Sequence, residues 1–258
     1  ARLQAAQPTP AAPIGPLSQA VLPAGVRSRF VDGVNGLRMH VLEAGYETPG
    51  RPGILLIHGF PELAYSWRKV MGPLAAAGYH VFAPDMRGYG RTSPTPVNYD
   101  DDLRPYGTVN RIKDLLALVS AMGHRSLPAV FGHDMGSPLA GWCALARPDI
   151  FRSVVMMSAP FGGAPALPFN TANGNLAATA PAPNPNAIYD ELARLSPPRK
   201  HYQRYYQTRD ANANMWKPPQ GLPAFVRAYY HAKSADCSSR HSCCRSARPR
   251  ASAERCAA

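Results

Sequence analysis

An apolar run from Leu127 to Phe131 leads into Gly132-His133-Asp134-Met135-Gly136 and then into a helical pattern. Gly-x-Asp-x-Gly between a strand and a helix specifies a sharp turn. The flanking glycines relax the backbone, and the central side chain is lifted above the sheet edge. A carboxylate held there is placed to attack an alkyl carbon and form a covalent ester. A purely local reading competes with this one, because an aspartate just ahead of a helix also serves as an N-cap. A second segment, His58-Gly59-Phe60-Pro61-Glu62, follows another apolar run. A glycine turn at that point brings backbone N–H groups toward the Asp134 turn. The N–H groups of Phe60 and Met135 are therefore the candidate oxyanion hole.

Positioning these groups requires a sheet, and the hydrophobic pattern supplies one. Arg29–Val31 and Leu37–Leu42 read as a hairpin closed by Asn35-Gly36. Gly53–Ile57 is continuously apolar, as expected of a strand buried on both faces. Ser66–Ala77 reads as a helix stopped by Gly78, and Tyr79–Ala83 as the next strand. Ile112, Leu115, Leu116, Val119 and Met122 recur at helical spacing, ended by Gly123. Pro138–Arg147 is a further helix and Ser153–Met157 a further strand. Strands alternating with helices predict right-handed crossovers and a mostly parallel sheet, hence an α/β domain over residues 27–160.

The flanking regions differ in composition. Residues 1–26 are Ala/Pro-rich and read as a loose arm. Residues 161–185 read as a linker, and 187–235 as helical and dense in tyrosine, so 161–236 is taken as linker and cap. Residues 237–258 hold four of the five cysteines and no Val, Ile, Leu, Met or aromatic residue. That segment is expected to be an aberrant, disordered tail, of the kind an out-of-frame or mis-spliced end produces. A metal site at Cys237, His241, Cys243, Cys244 and Cys256 is disfavoured, since the spacing matches no paired Cys-x-x-Cys arrangement.

The 258 residues are 45% hydrophobic and 17% charged, which excludes a disordered chain, and five cysteines make no disulfide scaffold. The formal charge is +12, but five of the arginines fall in the 237–258 segment. No stripe of basic residues interleaved with aromatics marks a nucleic-acid groove, so no nucleic-acid partner is expected. No apolar run reaches the roughly 20 residues of a membrane helix, so the chain reads as soluble, with the cytoplasm the favoured compartment. No cofactor is expected.

Taken together, His58-Gly59-Phe60-Pro61, Asp85-Met86-Arg87-Gly88-Tyr89-Gly90 and Gly132-His133-Asp134-Met135-Gly136 resemble the epoxide hydrolase branch of the α/β-hydrolase superfamily. The resemblance covers about residues 27–235 and implies an α/β-hydrolase fold: a mostly parallel sheet with a helical cap, here lacking the last core strands. It implies an aspartate nucleophile, matched by Asp134, and a cap tyrosine that donates to the epoxide oxygen. His201-Tyr202-Gln203-Arg204-Tyr205-Tyr206-Gln207 is similar to the tyrosine-bearing cap helix, with Tyr202 the matched position. A phenol is chemically suited to that step, because epoxide opening generates an alkoxide. The implied partner is a small apolar epoxide.

Several residues are read as structural. Asp85 and Arg87 are expected to hold their loop by charge-assisted hydrogen bonds, and His58 and His133 to support the turns they sit in. The family's base histidine and its acid usually follow the cap, and no segment here matches them. The resemblance therefore implies a nucleophile, an oxyanion hole and a cap without the base that completes turnover. Two alternatives stand beside this reading. A haloalkane or haloacid dehalogenase shares the aspartate turn and the cap, but Met135 lacks the side-chain donor that would hold a halide. The other is a non-catalytic binding protein that uses the cap pocket for an apolar ligand.

Overall fold

The computed structural model describes residues 14–92, 97–163, 184, 186–196, 198–199 and 201–231. The expected 237–258 tail with its cysteines, residues 1–13 of the arm and most of the expected linker lie outside the described residues. The chain divides into two compact units between Leu167 and Pro168.

The first unit is built on a six-stranded sheet in the order β1-β2-β4-β3-β5-β6. Its strands are β1 (Val26–Val34), β2 (Leu37–Ala44), β3 (Gly53–Ile57), β4 (His80–Pro84), β5 (Ala129–His133) and β6 (Val154–Met157). β1 and β2 are antiparallel, and β2 pairs antiparallel with β4. From β4 through β3 and β5 to β6 every pairing is parallel. The hairpin closes where expected, with Asn35 and Gly36 both at positive φ, as a two-residue hairpin turn requires.

The continuous apolar run of β3 is explained by period-two alternation. Leu55 and Ile57 enter a core with Phe82, Val130, Leu115, Leu118 and Leu139. Ile54 and Leu56 enter a second core with Val81, Ala83, Trp67 and Met71. Both faces are covered, so each position must be apolar. Full burial of each such side chain stabilises by roughly 1.5–3 kcal/mol. The helices that cover the sheet are α1 (Arg68–Ala76), α2 (Thr108–Ala121) and α3 (Gly136–Ala146). The expected Ser66–Ala77 helix starts as a 3-10 turn over Ala64–Trp67, and α1 proper begins at Arg68.

The loose-arm expectation for residues 1–26 is corrected over residues 14–25. A 3-10 turn forms at Gln19–Val21, Leu22 is buried in the second core, and the Leu17 N–H donates to Ser28 Oγ at 2.8 Å. A few well-spaced apolar residues anchor this stretch, which its Ala/Pro composition conceals.

The second unit contains α4 (Ala187–Ala193), α5 (Tyr202–Tyr206), α6 (Ala211–Trp216) and α7 (Leu222–His231). All are short, and polar bridges tie them together. Tyr206 donates to the Tyr229 hydroxyl at 2.8 Å, and Asn214 donates to the Tyr205 hydroxyl at 3.0 Å. No helix among the described residues is long and apolar enough to cross a membrane.

Candidate active site

The parallel strands β3, β4 and β5 end on one edge of the sheet, and the motifs follow their last residues. Asp134 sits between β5 and α3 with φ +51°, the left-handed region that a short polar side chain tolerates best. Its N–H donates to Met157 O at 3.0 Å, and its carbonyl accepts from the Ser137 N–H at 3.0 Å. The flanking glycines are required sterically. A Cβ on Gly132 would strike the Gly136 carbonyl, and one on Gly136 would strike the Ile57 and His58 carbonyls. A Cβ on Gly59 would strike Asp134 itself. The two turns are thus locked against each other backbone to backbone.

This lock delivers one specific contact. The Phe60 N–H donates to Asp134 Oδ1 at 2.9 Å, while no described residue donates to Oδ2. One carboxylate oxygen is held and the other is left available. Met135 follows directly, with helical backbone angles and a 42% exposed side chain. Its N–H belongs to the first turn of α3, where intrahelical acceptors are lacking.

The neighbouring loop is held by buried charge. Asp85, 1% exposed, accepts from the N–H groups of Ala64 and Arg91 and pairs with His40 at 2.8 Å. Burial pushes its carboxyl up, but the His40 hydrogen bond and charge, with the backbone donors, bring it below the ordinary value. Arg87 forks onto Asp114, with Nε donating to Oδ2 at 2.8 Å and a terminal nitrogen to Oδ1 at 2.6 Å.

Both ring nitrogens of His58 are engaged, Nδ1 with Gly59 O at 2.8 Å and Nε2 with the Met86 N–H at 3.1 Å. Burial lowers its pKa from 6.5, which favours the neutral ring this arrangement needs. His133 Nδ1 lies 3.1 Å from Glu62 Oε2.

Tyr202 opens α5 in the second unit, is 43% exposed, and packs its ring on His201 and Tyr206.

Two lining residues were not singled out from sequence. A cavity beside the Asp134 turn is bounded by Tyr89 and Arg111 together with His58, Gly59, Met135 and Leu139. The available signal was Arg111 itself. It lies four residues before Leu115 on the buried stripe of α2, where an apolar residue is expected.

Residues 52–238 match the model of the α/β hydrolase fold family. The chain belongs to the α/β-hydrolase fold family. Within it, the chain is 42% identical over 127 residues to "Epoxide hydrolase" of Caballeronia sordidicola, covering 49% of the chain and 36% of that protein. It is 34% identical over 180 residues to "Epoxide hydrolase B" of Mycobacterium tuberculosis, covering 68% of the chain and 45% of that protein. Among solved structures, it matches an epoxide hydrolase from an endophytic Streptomyces with TM-score 0.59 and 32% identity, covering 81% of the chain and 53% of that structure. The chain spans less than half the length of these two curated relatives.

Proposed function

We propose that the chain carries the ring-opening half of an epoxide hydrolase, with Asp134 as nucleophile. The observation that carries this is the 2.9 Å hydrogen bond from the Phe60 N–H to Asp134 Oδ1 on a strand-to-helix turn at positive φ. Oδ2 attacks an epoxide carbon, the C–O ring bond breaks, and the ring oxygen takes a proton from the Tyr202 phenol. The product is a hydroxyalkyl ester on Asp134. The N–H groups of Phe60 and Met135 would then hold the oxyanion that forms when water attacks this ester. The substrate class is a small apolar epoxide. The helical second unit, which carries Tyr202, is read as the cap.

Release of the ester needs a positioned base. His58 has both nitrogens engaged, and His133, the residue before the nucleophile, is read as supporting its turn, so neither is taken as that base. The 258-residue chain alone is therefore expected to stop near one equivalent, because a positioned base contributes about 10²–10⁴-fold.

The test is intact-mass analysis after incubation with styrene oxide. One added probe equivalent is expected in the wild type and none in Asp134→Asn, a variant that keeps the left-handed backbone. Tyr202→Phe is expected to slow the addition about 10²-fold. An unmodified wild type would overturn the nucleophile assignment. Sustained diol release would overturn the stalled-ester reading, and a chloroalkane reacting faster than the epoxide would favour dehalogenase chemistry.

A further inference from the structure

The loop that offers the Phe60 N–H to Asp134 is held at both ends from one place, the residues that follow β4. At its start, the Met86 N–H donates to His58 Nε2 at 3.1 Å. At its end, the Ala64 N–H donates to Asp85 Oδ1 at 3.0 Å. Asp85 and Met86 are neighbours in the chain, so a shift of Asp85 moves both supports of the loop together. Asp85 is in turn the end of a relay that leads away from the site. Its Oδ2 lies 2.8 Å from His40 Nδ1, and His40 Nε2 lies 2.7 Å from Ser28 Oγ. Ser28 Oγ accepts the Leu17 N–H at 2.8 Å.

The proton positions follow from the partners. The Asp85 carboxyl is held below its ordinary value, so it is ionised and only accepts. His40 therefore donates from Nδ1 and keeps a lone pair at Nε2, which the Ser28 O–H meets. His40 and Asp85 are each 1% exposed, so water cannot replace a lost link. The order Ser–His–Asp is that of an acyl-transfer triad, but Ser28 lies within β1, paired with Leu42, and its oxygen is taken by the Leu17 N–H. The relay holds rather than attacks. We infer that Ser28 and His40 are positioning residues for the Phe60 N–H: through Asp85 they fix the loop that presents this donor to Asp134. The inference concerns where the donor stands, and only its adduct readout rests on the nucleophile proposed above.

The experiment is amide hydrogen exchange of the full chain, read residue by residue by NMR, with the rate of styrene oxide addition alongside. In the wild type, the Phe60, Ala64 and Met86 amides should open in one step, with the same dependence on low denaturant. Ser28→Val and Ser28→Thr are alike in shape, and only Ser28→Thr keeps a hydroxyl. Ser28→Val should speed Phe60 exchange about tenfold and slow the addition several-fold, the loss of one hydrogen bond to a buried partner. Ser28→Thr should restore both. Glu43→Gln, a buried change on β2 outside the relay, should leave Phe60 exchange as in the wild type, which separates positioning from a general loss of stability. The wild-type measurement decides even where Ser28→Val does not fold. Separate openings of Phe60 and Ala64 in the wild type would overturn the assignment. So would equal Phe60 exchange in Ser28→Val and Ser28→Thr, or a Glu43→Gln effect as large as that of Ser28→Val. A wild type that takes up no styrene oxide overturns the nucleophile reading alone, because the exchange rates do not depend on it.

Discussion

The two ends of the parallel strands are built on opposite principles. Where β3 and β5 finish, position is set by main chain. Gly59, Gly132 and Gly136 pack without side chains, and a backbone N–H holds Asp134. Where β3 and β4 begin, side chains bind one another. Glu43, 2% exposed, collects Arg27, Arg29 and His80, and His80 Nδ1 meets His124 Nε2 at 2.8 Å. The first end leaves one buried donor, Arg111 Nε, without a partner among the described residues, while the second matches the charges it buries. A binding or catalytic group needs rigid geometry and spare hydrogen-bonding capacity, whereas a structural rim needs none left over.

The largest effect that would sharpen this contrast is Gly136→Ala. The new methyl meets the Ile57 and His58 carbonyls, which cannot move without the strand. A loss of roughly 3 kcal/mol or more is expected from denaturant unfolding, together with loss of the styrene oxide adduct. Glu43→Gln acts at the other end and should cost roughly 1–3 kcal/mol, because Arg27 and Arg29 are partly exposed and can turn to water. Adduct formation per folded molecule should be unchanged in this variant. A slowed addition would break the division between the two ends.

The pH dependence follows from the same rim. Glu43 is held well below its ordinary 4.5: burial alone would raise it, but the hydrogen bonds from His80, Arg29 and Arg27 outweigh that. Its stabilisation is full above pH 4.5 and is lost as the pH falls below. His124 is lowered from 6.5 by burial and by His80, so the folded state favours its neutral form. That contribution is complete above pH 6.5 and declines as the unfolded chain takes up the proton more readily. The melting temperature should therefore fall from about pH 6.5 downward, more steeply below about 4.5. His124→Gln should make the upper part of this decline shallower without flattening it, because buried His58 carries the same sign. The smallest effect is expected at the exposed Arg147–Asp149 pair, where Arg147→Ala should leave the melting temperature unchanged.

Legibility from sequence followed the same division. The Asp134 turn and the β3 strand were readable because neighbouring residues encode them: two glycines around a carboxylate, and an apolar residue at every position. The hairpin was readable for the same reason, through Asn35-Gly36. The Glu43 cluster was not, since it gathers residues from β1, β2, β4 and the loop after α2, and no local pattern announces such a meeting. The packing of Leu22 was hidden by its alanine- and proline-rich surroundings. Arg111 carried a signal, a charge on a buried helical stripe, that gains meaning only once Asp114 is seen to be taken by Arg87.

The glycine interlock around Asp134 also bears on how this chain can change. Because peptide groups rather than side chains fix the carboxylate, it has few rotamers to slip into and few neighbours whose replacement would displace it. Residues on the cavity wall, such as Met135, Leu139 or Tyr89, can then be exchanged with the Asp134 carboxylate left in register. Such a scaffold separates inheritance of the chemistry from inheritance of the specificity: drift in the wall redefines what is accepted, while the turn preserves what is done to it.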